Sequence, residues 1–206
     1  MPYIIIYLIC FCIFVAWLFY EQRKAKRIEE KMSKNFWARE TEANQTRKKD
    51  ISHLPLVEVD ESEIPIVSTS DETVLYYIGQ LQKIIKEPML DLSEYTNTDL
   101  KLAYGVGNFK TLSDYDEKFN SFLVNLTNLA RAYSRAEFYK EAKDTYQMAL
   151  HYGSRKVNDY TELADVYLKL DQPEQITQLI TEVSNSDHPR KDSVIESLRS
   201  VLVRYQ

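Results

Sequence analysis

From Leu123 to about Arg190 the chain repeats itself every 34 residues, and this recurrence limits its fold more than any other feature. Leu126, Leu129, Ala130 and Tyr133 are followed by Ala142, Tyr146 and Ala149; 34 positions on, Tyr160, Leu163, Ala164 and Tyr167 are followed by Ile176, Ile180 and Val183. Inside each set the apolar residues stand three or four apart, the period of one face of an α-helix. Each set therefore predicts two helices, and a period of this length marks units that bury their apolar faces only against neighbours. Four glycines and six prolines in 206 residues argue against a turn-rich β-fold. The expected class is all-α.

The repeats, about 123–156 and 157–190, sit in a helical domain predicted over 70–206. Thr69 with Glu72 reads as a capping box. It opens a helix whose apolar face is Val74, Tyr77, Ile78, Leu81, Ile84 and Ile85, and Pro88 stops it. Asn97-Thr98-Asp99 predicts a short helix ended by Gly105, with Gly105-Val106-Gly107 as a turn. This GxG lacks the third glycine, the lysine and the buried strand of a nucleotide loop. A last helix, about 190–204, is expected to cap the stack.

The stretch LARAYSRAEFYKEAKDTYQMALHYG resembles the tetratricopeptide repeat family. Leu129, Ala130 and Tyr133 stand at that family's first-helix positions, and Ala142, Tyr146 and Ala149 at its second-helix positions. Tyr139 lies at the inter-helix turn. Leu126 replaces the usual Trp, Ser154 the closing Pro, and Ile176 and Val183 stand where Ala is expected, so the second repeat departs further. The overall plan also resembles bacterial membrane-anchored proteins carrying such repeats. The resemblance implies a short stack of antiparallel helix pairs whose first helices line a groove for a protein or peptide partner. The groove-facing positions are then Thr127, Asn128, Arg131 and Arg135, followed by Asn158, Thr161, Glu162, Asp165 and Lys169. Asn and Arg side chains at such positions can bond a peptide backbone or its acids. Reversing the charge of Arg131 and Arg135 is expected to abolish partner capture with folding intact. Thr127 stands where carboxylate-clamp members carry lysine, so the resemblance does not extend to capture of an acidic C-terminus.

Residues 3–20 (YIIIYLICFCIFVAWLFY) hold no charge. Eighteen helical residues span about 27 Å, near the thickness of a bilayer's hydrocarbon core. Tyr3, Trp17 and Tyr20 occupy interfacial aromatic positions. The expectation is a single transmembrane helix over 1–20. Arg23, Lys24, Lys26 and Arg27 follow it, which predicts an outside N-terminus and a cytoplasmic domain. Cys10 and Cys12 would point about 200° apart on that helix and cannot bridge.

Residues 21–49 carry ten basic and five acidic side chains, and 50–206 carry sixteen and twenty-six. The basic neck, 21–49, reads two ways: as an amphipathic helix whose residues 23–34 meet anionic lipid, or as a solvated extension whose charges set topology. Residues 50–69, with two prolines and five acids, read as an acidic linker, either free or with Leu56-Val57-Glu58-Val59 laid along the domain as a short extended segment. Arg47-Lys48-Lys49 without a folded basic face gives no reason to expect nucleic-acid binding.

Catalysis has no visible basis. His53, His151 and His188 share no metal spacing, no GxSxG or phosphate loop occurs, and both cysteines lie in the apolar run. No cofactor, metal or catalytic residue is expected. The sequence predicts a membrane-anchored adaptor or scaffold. The alternative is a structural subunit of a larger membrane complex, or a self-associating chain, held by extensive apolar contact.

Overall fold

A computed structural model describes the backbone of residues 2–205 and all side chains in that range except those of 2–6, 8, 10 and 205. The fold is all-α, with eight α-helices, two single 3-10 turns and no strand among the described residues. The chain forms two compact units: Met1–His53 with Glu94–Thr111, and Leu54–Ser93 with Leu112–Gln206.

In the first unit one helix, α1 (Pro2–Gln45), runs without a break from the apolar stretch into the basic one. The expected membrane span is overturned: among the described residues no helix is long and apolar enough to cross a membrane. The single-pass placement, with its outside N-terminus and cytoplasmic domain, falls with it. Tyr3 and Cys10, on which the expectation partly rested, lie outside the described side chains. From Glu21 onward α1 carries charged side chains, so the longer part of this helix is polar. Cys12 is a free, exposed thiol.

The C-terminal end of α1 is anchored on α3 (Asn97–Tyr104). Thr96 and Asp99 close a capping box at the start of α3, the carboxylate accepting from the Thr96 amide at 3.0 Å. Asp99 also accepts from Arg39, while Glu40 accepts from Thr98 and, at 3.2 Å, from Lys101. The hydroxyl of Thr98 first, and Lys101 second, hold the Glu40 carboxyl below its ordinary range. The buried Asn108 amide donates to the carbonyls of Lys49 and Tyr104, both at 2.7 Å, and joins the two strands of chain. Gly105 ends α3 with φ +85° where the chain at Arg47 passes close by; a Cβ there would stand 2.1 Å from the Arg47 carbonyl oxygen.

The second unit holds α2 (Glu72–Ile84), α4 (Phe109–Arg135) from Leu112 onward, α5 (Tyr139–His151), α6 (Val157–Lys169), α7 (Pro173–Asn185) and α8 (Lys191–Tyr205). The cap of α2 is Asp71 and not Thr69. Its carboxylate accepts from the amides of Thr73 and Val74, both at 2.9 Å, whereas Thr69 accepts only from the Asp71 amide.

The 34-residue recurrence is present in the backbone itself. α4 ends at Arg135 and α6 at Lys169; α5 covers 139–151 and α7 173–185; α6 begins at Val157 and α8 at Lys191. The turns repeat too: Glu137 (φ 64°) and Asp171 (φ 58°) both take the left-handed conformation. The following amides, of Phe138 and Gln172, both bond back to Tyr133 and Tyr167 carbonyls at 2.9 Å. A non-glycine residue there costs about 1–3 kcal/mol, so the helix packing on either side dictates the turn.

That packing is one continuous apolar core. α5 packs on α6, α6 on α7 and α8, and α7 on α8. Leu126, Leu129, Ala130, Tyr133, Ala142, Tyr146, Ala149, Leu163, Ala164 and Tyr167 are all buried, and Tyr160 is half-buried against the core. The alanines let helix axes approach, and Val194, Leu198 and Val201 of α8 close the far end of the same seam. The extended chain from Leu54 to Val67 contributes to this core with buried Ile64 and half-buried Val57, Val59 and Val67. It is held by Val57 to Met89 (2.8 Å), by the Tyr133 hydroxyl to the Pro65 carbonyl, and by the Tyr152 hydroxyl to Glu63 (3.0 Å).

Candidate partner-binding face on α4 and α6

Because α4 and α6 are related by the repeat, their polar stripes run alongside each other, and several of the residues read from the sequence as groove-facing meet there. They meet one another. Arg131 donates to both oxygens of Glu162, from Nε at 3.0 Å and Nη2 at 2.8 Å, and from Nη1 to Asn128 at 3.1 Å. The buried Tyr146 of α5 sends its hydroxyl to the same Glu162 oxygen at 2.8 Å. One carboxylate on α6 thus ties three helices together. Glu162 strengthens the proton affinity of Arg131, and burial, then Glu162, pushes the Tyr146 phenol well above its ordinary range. Both groups stay in their hydrogen-bonding forms at any physiological pH. Arg131 is therefore a structural cation, and reversing its charge should cost stability as well as any contact with a partner.

A second knot lies one turn away. Asp159, in the first turn of α6, is buried; its carboxylate accepts from Thr127 at 3.1 Å and from Ser154. Beside it opens a pocket of about 280 Å³, whose wall includes Asn128, Arg131, Lys156, Asn158 and Arg190. Asn158, Lys156 and Arg190 are exposed, and Asn128 is half-exposed. This is the part of the face with polar groups open to a ligand.

The remaining residues from the sequence reading lie apart from this pocket. Thr161 turns its hydroxyl back to the Val157 carbonyl at 3.0 Å, and Arg135 is exposed at the end of α4. Asp165 is exposed, 3.7 Å from Arg204 of α8. Asp159, Lys156 and Arg190 were not singled out by the sequence, and Ser154 was read only as replacing the closing Pro of the repeat. The first-turn acid of α6 is visible in it, but such acids are common at helix starts. Nothing local says that this one is buried against Thr127, 32 positions earlier.

No family model, no curated protein and no solved structure matches this chain.

Proposed function

We propose that the second unit is a protein-binding adaptor, built as a short tetratricopeptide-like stack, that holds an extended segment of a partner on the α4–α6 face. The observation that carries this reading is the recurrence of helix boundaries and turns at 34 residues, since solenoids of this kind present a continuous flank for extended ligands. The pocket beside Asp159 supports it. Its amides, Asn128 and Asn158, can each donate and accept along a peptide backbone, and Lys156 and Arg190 bring positive charge. The partner segment is then neutral to acidic. No catalytic step is part of this reading.

The test compares the full chain with an Asn128→Asp, Asn158→Asp, Arg190→Glu variant in crosslinking and affinity recovery. These side chains are outside the core, so the variant should melt within about 2 °C of the parent. Loss of the recovered partner from the variant alone supports the face; equal recovery by both refutes it.

A second reading is favoured by one observation. Phe11, Ile13, Phe14, Trp17 and Phe19 of α1 are each more than half exposed, and exposed apolar side chains grouped in this way mark interaction surfaces. A structural subunit joined to a larger complex through α1 would cover it. Recovery that survives high salt and depends on α1 distinguishes that case from a polar contact on the α4–α6 face.

A further inference from the structure

We propose that the cleft between α5 and α7 is a second binding site, made for an arginine or lysine side chain of an extended peptide. It is separate from the α4–α6 face and does not depend on it. The cleft encloses about 400 Å³, within the range of sites that hold small ligands. α6 forms its floor with Tyr160, Leu163 and Tyr167; Gln147 of α5 stands on one side, and Gln178 and Glu182 of α7 on the other.

Its origin is in the repeat. The second helix of the first repeat seats on Ala142 and Ala149, while α7 carries Ile176 and Val183 at the equivalent positions, all four buried. Larger side chains at a helix contact increase the distance between axes. This pattern of larger residues on α7 accounts for the cleft that stays open beside α5.

The chemistry of the walls selects the ligand. Gln147 donates to the Tyr167 hydroxyl at 2.9 Å, which fixes that phenol in the floor. Gln178 donates to Glu182 at 3.0 Å, so the carboxylate is held at the rim and is exposed. Nearby Lys143 lies 3.1 Å from Asp144, and the two charges offset each other; of the cleft's own lining, Glu182 is the carboxylate and His151 the basic side chain. A cation entering beside the half-buried Tyr160 meets an aromatic wall and the Glu182 carboxylate, both attractive. An acidic side chain would meet that carboxylate unfavourably. The glutamine amides supply donors and acceptors to the peptide backbone on either side of the cation.

The experiment titrates the full chain with two blocked tripeptides, acetyl-Gly-Arg-Gly-amide and acetyl-Gly-Glu-Gly-amide, and follows the side-chain amide resonances of Gln147, Gln178, Asn128 and Asn158. The arginine peptide should shift Gln147 and Gln178 and leave Asn128 and Asn158 unmoved; the glutamate peptide should shift neither pair. Glu182→Gln should weaken the arginine peptide about five-fold, the worth of one partly exposed ion pair. Glu182→Lys should abolish it, and Glu196→Gln on α8 should change nothing. Equal response to both peptides, shifts confined to Asn128 and Asn158, or an unchanged affinity in Glu182→Gln would each overturn the proposal. So would shifts at Gln147 and Gln178 that follow dilution of the chain alone, since the occupant would then be a second copy. Loss of partner recovery in the α4–α6 variant leaves this outcome unaffected, so failures of the two proposals are separable.

Discussion

Replacing Arg131 by Glu tests the central tie of the stack. Arg131 makes three hydrogen bonds, two to Glu162 and one to Asn128, and Glu162 accepts a further one from Tyr146. The two charged side chains keep 33% and 32% of their surface exposed, which places the pair between a surface and a buried ion pair. Exposed pairs contribute about 0.2–1 kcal/mol and breaking buried ones costs about 3–5, so deleting this cation should cost about 1.5–2 kcal/mol. Reversal adds repulsion between two carboxylates. At about 5 Å and an effective dielectric near 20 this is about 3 kcal/mol unrelaxed, and rotation of the side chains toward water leaves about 1. The total, about 3 kcal/mol, corresponds to a fall of about 10 °C in the melting temperature of a domain of this size. Thermal melting of the full chain, followed by helical circular dichroism, reads it directly. Adding Glu162→Arg should recover at least half of the loss, because the ion pair is re-formed in the opposite sense. The double-mutant cycle should show coupling above about 1 kcal/mol. A single reversal that melts within about 2 °C of the parent would show that the Arg131–Glu162 pair does not hold the helices together, and the reasoning would fail.

Two further changes report on other parts of the molecule. Gly105→Ala places a methyl 2.1 Å from the Arg47 carbonyl oxygen at a backbone angle that L-residues avoid, so amide exchange across α3 and 45–49 should accelerate sharply. The backbone strain alone is about 1–3 kcal/mol, and unchanged exchange would contradict the described turn. Burial, with Glu141 adding to it, pushes the Tyr133 phenol up to about 12. The neutral form is favoured by the fold, so this contribution is intact below the unfolded value near 10 and is lost as pH rises from there towards 12. Melting temperature should fall over that window, and Tyr133→Phe should flatten the fall; equal slopes in the two chains would refute the assignment.

Much of the helical plan was legible because it is local. Residues three and four apart share a helix face whatever the rest of the chain does, and the stripe from Leu126 to Tyr133 is buried for that reason. The short helix ending at Gly105 was readable likewise, from capping chemistry that involves neighbours in the chain. The cap of α2 was misplaced by two residues because Thr69 and Asp71 offer the same chemistry, and only the backbone path selects one. The N-terminal apolar run was read as a membrane span from its length, its lack of charge and its interfacial aromatics, whereas no described helix is long and apolar enough to cross a membrane. The site was legible in part: Asn128, Arg131, Asn158 and Glu162 were singled out as polar positions on the first helices. That Arg131 and Glu162 satisfy each other was not, since periodicity gives a direction from one helix axis and no distance to the next.

By itself, the order of residues decided that this chain is helical, where the short helix ending at Gly105 and the last helix lie, and that units recur at 34 positions. These depend on hydrogen bonds and apolar faces within a few residues. Which charges neutralise each other, which acid is buried and where a cleft stays open were decided only when α4, α5, α6 and α7 came together. The physical reason is range: a helix face is set over about four residues, whereas the Arg131–Glu162–Tyr146 tie and the gap beside α7 depend on ångström-scale spacing between segments far apart in the chain.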